Sequence, residues 1–143
     1  MGKNLKPLFR NIIAVIAGWL LGSIINMGLV TVGHAFFPIP GVDPDNMEEM
    51  AAIIGTLEFK FFIFPFLAHA LGTFTGAVSA TLIGATHKMK LAIGIGVIFL
   101  IGGIFVSFLL PAPTWFIVVD LLFAYIPMAW LGGKLVTGKT EKR

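Results

Sequence analysis

Four long apolar runs dominate the chain, near Ile12–Phe36, Phe59–Ala85, Leu91–Leu110 and Thr114–Val136. Each matches or exceeds the ~20 residues a helix needs to cross ~30 Å of hydrocarbon. Backbone polar groups in hydrocarbon must be satisfied within the segment, so the runs predict transmembrane helices. The links Thr86–Lys90 and Pro111–Pro113 are hairpin-short, which makes the spans they join run in opposite directions. The fold class expected is all-α: an antiparallel four-helix transmembrane bundle forming a single integral membrane domain over residues 1–143.

The one long connection, Phe37–Glu58, has a broken pattern. Pro38, Pro40, Gly41 and Pro44 make its first part irregular. Asp45 then reads as a helix N-cap, with Glu48 three residues on in a capping-box position. Met47, Met50, Ala51 and Ile54 fall at i, i+3, i+4 and i+7. That spacing predicts a short helix lying on the outer surface with its apolar side down.

Composition supports the pattern. The 143 residues are 57% hydrophobic and 12% charged, with mean hydropathy +0.97. A soluble domain of this length could not hide so much apolar surface, which excludes a soluble enzyme or a nucleic-acid binder. Nine of the ten basic residues fall before the first span, between the second and third, or at the end of the fourth; only Lys60 lies opposite. The positive-inside rule then predicts a multi-pass protein with both termini cytoplasmic. There is no cysteine, so disulfides and thiol chemistry are excluded.

Small residues recur at helical spacing: Ala14, Gly18, Gly22 and Asn26 in the first span; His69, Gly72, Thr73, Gly76, Ala80 and Gly84 in the second; Ala92, Gly96, Gly103 and Ser107 in the third. Such stripes let helices approach closely in lipid, against each other or against another chain. The expected partners are the bilayer and either a second copy or another membrane protein.

The polar members carry the candidate chemistry. At 1.5 Å per residue, Ser107 lies roughly 5 Å below the outer boundary, Asp120 roughly 9 Å, and Asn26 and His69 roughly 15 Å. An ionisable group in a span is costly and is a functional candidate by default. Asp120 is the leading site residue, with His69 as its partner and Asn26, Thr73 and Ser107 beside them. Each has a plainer alternative. Asp120 and His69 would be interhelical hydrogen-bonders, Asn26 and Thr73 interhelical glue, and Ser107 a donor back to the Gly103 carbonyl. Tyr125, Trp19, Trp115 and Trp130 are expected to fill no special role. Pro127 and Pro65 each deprive a carbonyl of its helical donor and predict interruptions in the fourth and second spans.

No phosphate-binding Gly loop, Gly-x-Ser-x-Gly or His-Glu-x-x-His sequence occurs, and Glu58 and His69 are roughly 16 Å apart along one helix. No metal, cofactor or enzymatic role is expected. The stretches Phe64-Pro65-Phe66-Leu67-Ala68-His69-Ala70-Leu71-Gly72-Thr73 and Ala124-Tyr125-Ile126-Pro127-Met128-Ala129-Trp130-Leu131-Gly132-Gly133 resemble small uncharacterised four-helix bacterial inner-membrane proteins. The resemblance implies a bacterial inner membrane and carries no function. The residues themselves suggest a small transporter or channel whose outward-facing polar cavity, lined by Ser107, Asp120, Asn26 and His69, binds a proton, cation or small solute. The alternative is a non-transporting accessory or scaffold subunit.

Overall fold

The computed structural model describes residues 2–140, with side chains for 6–138. Lys142 and Arg143, two of the basic residues counted above, lie outside the described residues. Those described form an all-helical structure: α1 (Gly2–Phe36), α2 (Met47–Ile53), α3 (Ile63–Ile83), α4 (Lys88–Leu109), α5 (Thr114–Phe123) and α6 (Ile126–Thr140). Short 3-10 turns at Ile54–Thr56 and Phe59–Phe62 join α2 to α3. Four segments are long and apolar enough to cross a membrane: Lys6–Phe36, Phe59–Ile83, Lys88–Leu109 and Thr114–Gly138. They match the four predicted spans, with α5 and α6 together making the fourth.

Glycine decides how α1 meets α3. A Cβ placed on Gly18 would lie 2.6 Å from the Gly76 carbonyl oxygen, and one on Gly22 would lie 2.6 Å from that of Gly72. The converse distances are 2.7 Å from Gly76 to the Gly18 oxygen and 2.8 Å from Gly72 to the Gly22 oxygen. The two backbones therefore touch, with no room for a side chain. This close approach lets dispersion replace the hydrophobic effect, which lipid does not supply. The third-span stripe faces inside the same chain: a Cβ on Gly96 would meet Ala129, and one on Gly103 would meet Tyr125. A core of Ala77, Ala80, Ala92, Ile95 and Ala129 ties α3, α4 and α6 together.

The end of the bundle carrying Arg10 and Asn11 is pinned by polar groups. The Asn11 side-chain oxygen accepts from the backbone N–H of Ala85 (2.9 Å) and Thr86 (3.2 Å), and Asn11 Nδ2 donates to Thr86 Oγ1 (2.9 Å). Arg10 Nε donates to the Ile83 carbonyl at 2.6 Å. α1 thus caps the last turn of α3, satisfying groups that the helix end leaves open.

At the opposite end, the short helix forms where its spacing predicts, but its cap is Asn46 rather than Asp45. Asn46 Oδ1 accepts from Glu48 N (3.1 Å) and Glu49 N (3.2 Å), while the Glu49 carboxylate reaches back to Asn46 Nδ2 (3.0 Å) and Asp43 N (2.9 Å). The cap has slid one residue, from Asp45 to Asn46, and Glu49 accepts from the Asn46 side chain where a capping box would take its backbone N–H. Met50 points inward and is buried, whereas Met47 is exposed. The interruption expected at Pro65 is a change of pitch, from the 3-10 turn to α3. At this end the rings of Phe59 and Phe62, in the 3-10 turn before α3, pack on Trp115 and Phe116 of α5, with Phe59 stacked on Trp115 and Phe62 edge-on to it.

Candidate functional site

The interruption predicted at Pro127 is a full break: α5 stops at Phe123 and α6 begins at Ile126. Proline has no N–H for the carbonyl of Phe123. The break carries the centre of the molecule's chemistry. Asp120 lies in the last turn of α5 and is only 5% exposed. His69, on α3, places Nδ1 at 2.8 Å from Asp120 Oδ1 and 2.9 Å from Oδ2. The Tyr125 hydroxyl, in the break itself, donates to Oδ2 at 2.9 Å. The His69 and Tyr125 rings stack with centroids 5.7 Å apart.

Tyr125 was not expected here. In an unbroken α-helix a residue five positions on lies about 140° round the axis and cannot fold back onto Asp120. The break removes that restriction. Gly103 on α4 supplies space, since any Cβ there would collide with the Tyr125 hydroxyl. The signal in the sequence was the combination of Pro127 with a phenol two residues before it.

Two donors aimed at one carboxylate fix the proton arrangement. A bare lone pair on Nδ1 would face two carboxylate oxygens, so Nδ1 carries its hydrogen and donates it. The other ring nitrogen, Nε2, has no hydrogen-bond partner among the described residues, and 22% of the His69 side chain remains exposed. Three of the described cations are engaged elsewhere: Lys60 with Glu58 at 3.2 Å, Lys134 over the Trp130 ring at 4.5 Å, and Arg10 at the Ile83 carbonyl. An ionisable group inside a span costs about 2.5–3.5 kcal/mol or more unless it is paired, and Asp120 is paired by the hydrogen bonds from His69 and Tyr125.

The remaining candidates divide. Ser107 donates to its own helix, at the Gly103 carbonyl, 2.8 Å. Thr73 is fully buried and its Oγ1 has no partner; Asn26 Oδ1 is likewise buried without one. The structure therefore brings Asp120 and His69 together, places Thr73 one helical turn from His69, and turns the Ser107 hydroxyl onto its own backbone. A cavity of about 70 Å³ at the end of the bundle that carries α2 is lined by Val30, His34, Phe37, Met50 and Phe62 among others, and by none of the four residues expected to share one. Among the described residues no three His, Asp or Glu side chains converge to hold a metal. Compared with family profiles, curated proteins and solved structures, the chain finds no match in any of the three.

Proposed function

We propose that this chain is a small transport protein of a bacterial inner membrane, and that Asp120 with His69 is its proton- or cation-binding centre. The observation that carries the reading is a carboxylate within the fourth span, 5% exposed, held by one imidazole and one phenol at a helix break. A transport centre needs a group that changes charge inside the membrane and a connection to a part that moves. His69 supplies the first through Nε2. α5 supplies the second. It is a ten-residue half-helix ending at a break, and among the described residues its only side-chain hydrogen bonds run through Asp120. While the centre is paired, α5 is latched to α3; losing the pairing frees it.

The pairs Arg10 with Ile83, Gly18 with Gly76, Gly22 with Gly72 and Gly33 with Phe64 support an antiparallel bundle. The basic residues support cytoplasmic termini. The test is proton flux in proteoliposomes carrying an internal pH-sensitive dye. Wild type should collapse an imposed pH gradient faster than protein-free vesicles, and Asp120→Asn should abolish the difference. A wild-type rate equal to that of empty vesicles, or an unaffected Asp120→Asn, overturns the reading.

A second reading, an accessory subunit that passes nothing, is favoured by the closure of the centre together with the exposed apolar side chains of α1 and α4, such as Ile24, Ile101 and Phe105. It predicts a stoichiometric membrane partner on purification in mild detergent and no flux.

A further inference from the structure

The two ends of the bundle differ in charge. Asp43, Asp45, Glu48, Glu49 and Glu58 follow the end of α1, and Asp120 lies inside the fourth span. Among the described residues, which end before Glu141, no Asp or Glu stands at the end where α1 begins. Lys6 and Arg10 are there. Lys88 and Lys90 open α4, directly after the Ala85 and Thr86 that Asn11 holds. Lys134 of α6 follows Gly133, which packs on Met89 and Ala92 of α4. Five cations thus share one end with no described carboxylate to balance them.

Two of the five line one open groove. It holds about 550 Å³ and is bordered by Lys6, Leu8, Phe9, Arg10, Ile12 and Ile13. That volume is within the range of ligand sites. The four apolar side chains are 46–67% exposed. Lys6 and Arg10 are four residues apart on α1, so their side chains emerge on one face. Arg10 is fixed in place, because its Nε donates to the carbonyl of Ile83, the last residue of α3, at 2.6 Å. A guanidinium has five N–H donors, and the four on the two Nη atoms have no partner among the described residues. Lys6 has no hydrogen-bond or ion-pair partner among them either.

The level of the groove identifies its occupant. The first span runs over Lys6–Phe36, 31 residues. Its length is about 46 Å, against roughly 40–45 Å for a bilayer with its headgroups. Lys6 and Arg10 therefore sit at headgroup depth, and Ile12 and Ile13 lie further in, toward the hydrocarbon. A ligand that fills the groove must present negative charge to the first pair and apolar carbon to the second. An anionic phospholipid does both with one molecule. Its phosphate can accept from the Arg10 Nη groups as a fork and from Lys6 as a point charge, while an acyl chain lies along the apolar side chains. A free phosphate would leave the apolar half unfilled. A zwitterionic lipid would bring its own cation against Lys6 and Arg10.

We propose that this groove binds one anionic phospholipid, with the phosphate held by Arg10 and Lys6. The site does not depend on the reading of Asp120 given above. The test uses purified protein in micelles of a neutral detergent, with the thermal unfolding midpoint followed by tryptophan fluorescence while phosphatidylglycerol is titrated in. The midpoint should rise saturably. Phosphatidylcholine at the same mole fraction, and sodium phosphate without lipid, should leave it unmoved. Lys6→Gln breaks no hydrogen bond or ion pair among the described residues, and should raise the half-saturating lipid about fivefold. Arg10→Gln should raise it about tenfold or more. Arg10→Lys, which keeps the charge without the fork, should fall between wild type and Arg10→Gln. Lys134→Gln removes the same charge at the same end but outside the groove, and should stay within about twofold of wild type. Asp120→Asn should respond to phosphatidylglycerol as wild type does while losing proton flux, so the two proposals fail separately. An unmoved midpoint with phosphatidylglycerol overturns the site, as does an equal rise with phosphatidylcholine or free phosphate. A loss in Lys134→Gln matching that in Lys6→Gln overturns it too, in favour of diffuse surface charge.

Discussion

Where α1 crosses α3, the contact is backbone against backbone: Gly18 and Gly22 lie on the carbonyls of Gly76 and Gly72, with no side chain between. Where α5 gives way to α6, the contact is made by side-chain chemistry, a carboxylate with an imidazole and a phenol each within 3 Å of its oxygens. The first kind of junction depends on shape and is indifferent to proton concentration. The second depends on charge and can change when one proton moves. A bundle that pairs a fixed seam with a chargeable break has one half that stays and one that can shift.

The sharpest way to break the contrast is to fill the seam. Gly22→Val would place carbon 2.6 Å from the Gly72 oxygen and 2.9 Å from the Phe99 ring. The Gly72 oxygen is backbone and cannot yield without separating α1 from α3, and the Phe99 ring, on α4, would have to swing aside as well. The expected loss is about 3 kcal/mol, the upper end for overpacking, measured as unfolding in mixed micelles. A loss under ~1 kcal/mol would mean the seam is not the fixed half.

A smaller effect is expected at the break. Tyr125→Phe removes one of the two donors to Asp120 and keeps the ring stacked on His69. One buried hydrogen bond is worth about 1 kcal/mol. Stability should fall by that order. The rate of proton flux should change further, because the carboxylate would then be held by His69 alone. A variant with unchanged flux would confine Tyr125 to packing.

Much of this was readable in advance, for identifiable reasons. The four spans follow from long apolar runs, which have one solution in lipid. His69 and Asp120 stood out because so few ionisable groups lie within the spans. The roughly 6 Å difference in their estimated depths, taken from residue counts, closed to a 2.8 Å contact. Tyr125 was only half readable: Pro127, two residues on, signals an interruption, but not that it lets residue i+5 return to residue i. The cap at Asn46 was misplaced by one because Asp45 and Asn46 are equal caps, each followed three residues on by a glutamate. The clamp of Asn11 on the end of α3 had no local signal, since its partners are 74 and 75 residues away.

The finest distinction lies between two adjacent glycines of α4. Gly103 faces the break, and an added methyl there would strike the Tyr125 hydroxyl, the same atom that donates to Asp120. Gly102, one residue earlier and about 100° round the helix, has nothing within 4 Å of the same methyl. If α4 shapes the centre only through the room it leaves for the phenol, the two Gly→Ala changes must part. Gly103→Ala should slow proton flux and cost about 1 kcal/mol through the displaced ring. Gly102→Ala should leave flux untouched and shift stability by less than about 1 kcal/mol, upward, because alanine loses less backbone entropy in a helix than glycine. Equal effects from the pair, in either assay, would show that α4 acts on the centre through helix propensity and not through the space beside Tyr125.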